Sequence, residues 1–168
     1  MSEFSRPYDT RGLPAGPVSL VATAEECAAL ARRFEVVSIS GFEAVVDMIA
    51  DGRAVDASGR FTARLVQRCA VSGEDVAVAL DEPVKLRFVP PGAPHRPDEE
   101  LELDAGECDE IELDGTHFDI GEALAQSLAL AIDPFLTGPN ADEARRKAGI
   151  VDAGASGPFA ALKGLIRE

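Results

Sequence analysis

The chain has 168 residues, of which 46% are apolar and 27% are charged, and it carries a net charge of −14 at pH 7. This composition is typical of a folded globular protein and argues against a disordered chain. There is no run of 18 apolar residues for a membrane helix, and the first residues contain no apolar stretch typical of a signal peptide. The three cysteines are widely spaced and odd in number, which favours reduced thiols. We therefore expect a cytoplasmic protein.

The negative charge is concentrated in one segment. Twelve acidic residues and no Lys or Arg lie between Asp98 and Glu122, so the remainder of the chain has 18 acidic against 16 basic residues. A positive surface can therefore form outside the acidic segment, and the overall charge does not exclude an RNA partner.

The N-terminal third predicts a lead-in, a short strand and a helix. Residues 1–17 are rich in Pro and Gly and predict a flexible lead-in, followed by an apolar strand over 18–22. Thr23 and Glu26 form a capping-box pattern, and small apolar residues then recur at helical spacing. We expect this helix to end near Arg33.

From residue 36 to 89 the apolar residues alternate, which indicates a mostly antiparallel sheet. Ser72 and Gly73 predict a turn within this region, and Pro90 and Pro91 predict its end. The predicted strands cover 36–40, 42–50, 59–71, 76–80 and 84–89.

The last third contains the acidic connector, 98–114, and then helical patterns. Asp119 and Glu122 cap a helix predicted over 120–131, which Pro134 should stop. A helix over 141–148 follows. Small residues over 152–157 and an amphipathic segment over 158–166 predict a tether and a short C-terminal docking helix.

These elements predict an α+β fold, a twisted, mostly antiparallel sheet, open or partly closed, with a few flanking helices. The expected organisation is a flexible lead-in at 1–17, a single domain over 18–150 that contains the acidic connector, and the tether with its docking helix at 151–168. Strand order and oligomeric state are left open.

Three segments, taken in order, resemble a known family. They are RLVQRCAVSGEDVAVALDEPVKLRFVP at 64–90, IELDGTHFDIGEALAQSLALAIDPF at 111–135 and PFAALKGL at 158–165. Their order, with the acidic connector between them, resembles the YceD family of large ribosomal RNA subunit accumulation proteins over roughly residues 18–168. The resemblance implies a non-enzymatic ribosome-biogenesis factor that supports accumulation and processing of 23S ribosomal RNA and assembly of the large subunit.

Many members of that family carry a CxxC pair at the QRC strand and further Cys or His residues later, which suits structural zinc. Here Val66 replaces the first cysteine, and the segment after Pro134 has no Cys or His. The remaining candidates, Cys69, Cys108, His95 and His117, show no pair at metal-ligand spacing. We therefore expect no metal and no cofactor, with Cys69 a buried strand residue.

Catalytic patterns are sparse. A Cys69, His117 and Asp119 arrangement stays open, but no nucleophile elbow, glycine-rich phosphate loop or metalloprotease helix is present. The sequence therefore favours a protein that is not an enzyme.

The strongest binding candidate is a row of cations on the predicted sheet. Because side chains alternate along a strand, Arg60, Arg64 and Arg68 should share one face, and so should Lys85 and Arg87. Such a ridge suits phosphate contacts with precursor large-subunit ribosomal RNA. The alternative is an ordinary solvated face whose charges are balanced by Glu43, Asp47 or the acidic connector.

A rival mechanism places the working surface in the connector. There Glu99, Glu100, Glu102 and Asp104 would hold a basic ribosomal protein without direct RNA contact, so that the chain acts as an acidic, chaperone-like adaptor.

Overall fold

The computed structural model describes residues 2–92 and 109–150. The chain divides into two compact units, Met1–Val66 with Ala77–Ile132 and Gln67–Val76 with Asp133–Glu168, where the sequence predicts one domain over 18–150. The predicted tether and C-terminal docking helix, and most of the acidic connector, lie outside the described residues. The elements in chain order are β1 Pro7–Asp9, β2 Val18–Val21, α1 Ala24–Arg33, β3 Ser38–Asp51, β4 Ala54–Arg68, β5 Asp75–Val89, β6 Asp109–Glu112, β7 His117–Asp119, α2 Ile120–Ala131 and α3 Ala141–Lys147.

The predicted α+β class is confirmed. Five strands form one sheet in the order β2-β3-β4-β5-β6, and β1 pairs with β7 in a separate two-stranded sheet. The pairs β2–β3, β3–β4 and β1–β7 are antiparallel, whereas β5 and β6 run parallel. Because β2 and β6 form the two edges, the sheet seen in the described residues is open.

Two strands, β3 and β5, each join two segments that the sequence predicts as separate strands. β3 runs through the predicted break near residue 41 as a bulge between Ile39 and Gly41. β5 runs through Pro83, where the sequence predicts two strands. The backbone N–H of Cys69 donates to the carbonyl of Glu74. The even-numbered residues of β5 therefore direct their backbone N–H and C=O groups toward β4. Pro83 therefore faces away from β4, and its missing N–H removes no bond of that ladder.

The prediction of a flexible lead-in is wrong for residues 4–9. Phe4 is fully buried, with its ring centroid 5.2 Å from that of Phe42. The backbone N–H of Arg6 donates to Asp119, and Pro7–Asp9 forms β1. Burial of a large aromatic side chain, together with these backbone contacts, docks the segment despite the weak propensities of its neighbours.

Both long helices of the first unit begin and end as predicted. The Thr23 hydroxyl accepts from the Glu26 N–H at 3.2 Å, while the Glu26 carboxylate accepts from the Thr23 N–H at 2.8 Å. Asp119 caps α2 by accepting from the Glu122 N–H at 3.0 Å. α1 packs on β3 and buries Cys27.

None of the helices in the described parts of the chain is long and apolar enough to cross a membrane.

Candidate nucleic-acid interface and the Cys69 turn

The alternation predicted for β4 is observed. Arg60, Arg64 and Arg68 are exposed, whereas the intervening Phe61, Ala63 and Leu65 are buried. We call this solvent-facing side of the five-stranded sheet the outer face.

On β5, Lys85 is exposed and Arg87 is half-buried, and both alternate with the buried Val84, Leu86 and Phe88. In the first unit the outer face therefore includes Lys85 and Arg87 as well as Arg60 and Arg64.

Two of the five predicted cations form ion pairs with neighbouring carboxylates, which offset their charge. Arg60 pairs with Asp81, and Arg87 contacts Asp51 and Asp56 at 2.7 Å each. The hydrogen bonds to these acids raise the pKa of both guanidinium groups, so the two arginines stay charged. The sequence suggests Glu43 and Asp47 as the acids that balance these arginines. In the structure Asp51, Asp56 and Asp81 do so instead.

The other three predicted cations are placed differently. Within the described residues, Arg64, Arg68 and Lys85 form no ion pair. Arg64 and Lys85 belong to the first unit, while Arg68 belongs to the second. In the first unit the candidate interface is thus reduced to Arg64 and Lys85, flanked by two neutralised arginines.

The acidic candidates Glu99, Glu100, Glu102 and Asp104 lie outside the described residues, as do His95 and Cys108. The prediction that the acidic group binds a partner protein remains a prediction.

The second unit is organised around the sulfur of Cys69. This side chain is buried, and its Sγ accepts hydrogen bonds from the backbone N–H groups of Val71 at 3.4 Å, Ser72 at 3.3 Å and Gly138 at 3.2 Å. Hydrogen bonds, first that from the Gly138 N–H and then those from the side chain and backbone of Ser72, lower the pKa of the thiol to about 6. Cys69 is therefore buried as predicted, but it lies in a turn after β4 and not within the strand.

Further hydrogen bonds join the same two segments of the second unit. The side-chain amide of Gln67 donates to the carbonyl of Asp133 at 2.6 Å. Glu74 accepts from the Asn140 backbone N–H at 3.0 Å and from its side-chain amide at 2.5 Å. The QRC segment and the segment after α2 thus contact each other directly. A turn pattern at Ser72 and Gly73, three and four residues after the cysteine, was the available signal for this sulfur site.

The three residues that could form a Cys–His–Asp arrangement, Cys69, His117 and Asp119, each have other partners. His117 lies 3.5 Å from the carboxylate of Asp9, and Asp119 caps α2. Among the described residues, Cys69 accepts only the backbone bonds given above and a contact from Ser72. In the described segments, 2–92 and 109–150, no three His, Cys, Asp or Glu side chains are grouped so that they could hold a metal ion.

We expect the Cys69 thiol to titrate near pH 6. The titration is monitored by thiolate absorbance in a chain that carries Cys27→Ser and Cys108→Ser. The pKa of Cys69 in the folded chain is below that of a free thiol, about 8.5. The thiolate therefore stabilises the fold, and this contribution is complete above pH 8.5. This contribution should be lost as the pH falls through 6. Urea midpoints of wild type should rise between pH 6 and 8.5, and those of Cys69→Ser should rise less. Titration at or above pH 8.5 would show that the sulfur does not receive these bonds.

Comparison of the chain with protein-family models, with curated proteins and with solved structures finds no match.

Proposed function

We propose that the protein is a non-enzymatic ribosome-biogenesis factor of the cytoplasm that binds precursor 23S ribosomal RNA through the outer face and supports large-subunit assembly. The proposal of an RNA partner rests on Arg64 and Lys85. These two cations of the outer face have no carboxylate partner among the described residues. Such side chains contact phosphates without reading sequence. The ribosomal assignment comes from the resemblance to the YceD family.

Contacts in the second unit support that resemblance. Two of the three segments that carry it meet there, because the side-chain amide of Gln67 donates to the carbonyl of Asp133. Residues that are far apart in sequence but jointly form one unit make a more specific pattern than short motifs that do not touch.

The proposal that the protein is not an enzyme is supported by the partners of its candidate nucleophile. Nucleophilic catalysis requires a base within hydrogen-bond reach of the sulfur. Among the described residues, Cys69 accepts hydrogen bonds from backbone N–H groups and from Ser72, and His117 lies beside Asp9.

One observation favours the adaptor as a second candidate. The carboxylates of Asp51, Asp56 and Asp81 offset Arg60 and Arg87, and the chain as a whole carries a charge of −14. A strongly basic ribosomal protein would be attracted to such a chain.

Ultraviolet crosslinking in cells, followed by identification of both RNA and protein partners, tests the proposed function. We expect fragments of precursor large-subunit RNA to be recovered with wild type and to be depleted with an Arg64→Gln, Lys85→Gln variant. Recovery of a ribosomal protein without RNA would favour the adaptor. Recovery of neither would contradict both candidates.

A further inference from the structure

A small cleft opens on the outer face of the first unit, where β3 bulges. Its volume is about 200 Å³, and its lining includes Val21, Gly41, Glu43, Thr62 and Arg64. It is smaller than the cavities that hold drug-sized ligands, which start at roughly 300 Å³. A single ring system is therefore a better match in size than a whole nucleotide.

The bulge places a bare backbone beneath a guanidinium group. The register shifts between Ile39 and Gly41, and Gly41 lies opposite Arg64 on β4. A Cβ atom at Gly41 would lie 2.8 Å from a terminal nitrogen of Arg64. Bulges redirect side chains and are common beside binding sites. Here the bulge and the missing side chain allow the Arg64 guanidinium to lie against β3.

Two charged side chains of opposite sign, Arg64 and Glu43, line the cleft. Arg64 offers N–H donors, and the carboxylate of Glu43 accepts from the Thr62 hydroxyl at 3.3 Å. Within the described residues, Arg64 and Glu43 are paired neither with each other nor with another charged side chain. A phosphate inside the cleft would be repelled by Glu43, so phosphate contacts of Arg64 would be made outside it. The cleft instead suits a planar group with acceptors on one edge and donors on the next.

We propose that this cleft binds one unpaired guanine base of RNA, an inference that rests on the proposed function. The O6 and N7 atoms of guanine accept from an arginine, and its N1–H and N2–H groups can donate to the carboxylate of Glu43. Val21, which is 57% exposed, offers an apolar contact for the base. Bases in single-stranded RNA are free to enter such a site, whereas paired bases are not.

The experiment compares short uridine-rich RNAs that carry one G or one A at the centre, together with GMP and AMP. With wild type, we expect the G-containing RNA to bind about tenfold more tightly than its A counterpart. The amide NMR signals of Gly41, Glu43 and Thr62 should move on addition. Glu43→Gln should abolish the preference for G while leaving the overall salt dependence of RNA binding in place.

Two further variants provide a second test of the cleft and a control outside it. Gly41→Ala should displace the Arg64 side chain and also remove the preference, while Glu25→Gln, an exposed change on α1, should retain it. Equal affinity for G and A in wild type would overturn the inference and leave the proposed function standing. Absence of binding to either RNA would overturn both. Binding of GMP that is as tight as that of the G-containing RNA would identify a free nucleotide as the ligand and overturn the assignment to RNA.

Discussion

Replacing Phe4 with Ala is expected to lower the free energy of unfolding by about 3–5 kcal/mol, the usual loss for a fully buried phenylalanine. The Phe4 ring has no exposed surface and packs against Phe42, which in turn lies 5.9 Å from Phe61. Removal of the ring leaves a cavity in the hydrophobic core. A loss of this size is a large part of the stability of a typical domain.

The close approach of the N-terminal segment to α2 gives the same expectation a second basis. A Cβ atom at Gly121 would clash with the carbonyl oxygen of Phe4, so the two backbones are in direct contact. Removal of the Phe4 ring should release this contact as well as the pairing of β1 with β7.

Urea unfolding measures the effect, and the single tyrosine gives a local signal. Tyr8 stacks on Phe118 at a centroid distance of 6.0 Å, so its fluorescence reports on docking of the N-terminal segment. Phe135→Ala is the matched control, because Phe135 is 79% exposed and its replacement should change stability by less than about 0.5 kcal/mol. Equal effects of the two changes would mean that Phe4 is not part of the core.

Local signals predicted the helices well because each signal acts within one turn. The capping box of Thr23 and Glu26, and the cap of Asp119 on Glu122, join residues three apart in sequence. Pro134 likewise limits α2 through its immediate neighbours. The alternation that exposes Arg64 is equally local, because it follows from strand geometry alone.

Features that depend on register or on distant packing could not be predicted in this way. Phe4 docks on Phe42, which is far from it in sequence, and nothing within its own segment indicates burial. The partner of Arg60 is 21 residues distant, and the partners of Arg87 are 31 and 36 residues distant. Which cations of the outer face are neutralised therefore follows only from the pairing of β3, β4 and β5.

The cleft and the Cys69 turn were missed for a related reason. The sequence pattern marks residue 41 as a break between strands, whereas the structure accommodates it as a bulge. The bonds to the Cys69 sulfur include one from Gly138, 69 residues away. Both features bring together groups whose separate sequence contexts are ordinary.

The most direct test of RNA binding by the outer face is a salt titration of affinity for single-stranded large-subunit RNA. Wild type should bind with an affinity that falls steeply as salt rises, and Arg64→Gln with Lys85→Gln should weaken binding by about tenfold or more. The slope of log affinity against log salt should decrease by about 0.7 for each phosphate that the variant no longer neutralises. The melting temperature should hardly change, because both side chains are exposed.

The matched control removes the same charge elsewhere, through Arg32→Gln on α1 and Arg53→Gln in the turn between β3 and β4. These two changes should leave both the affinity and the slope close to those of wild type. An outer-face variant that binds RNA with unchanged affinity and slope would contradict the account and would leave the acidic adaptor as the better explanation.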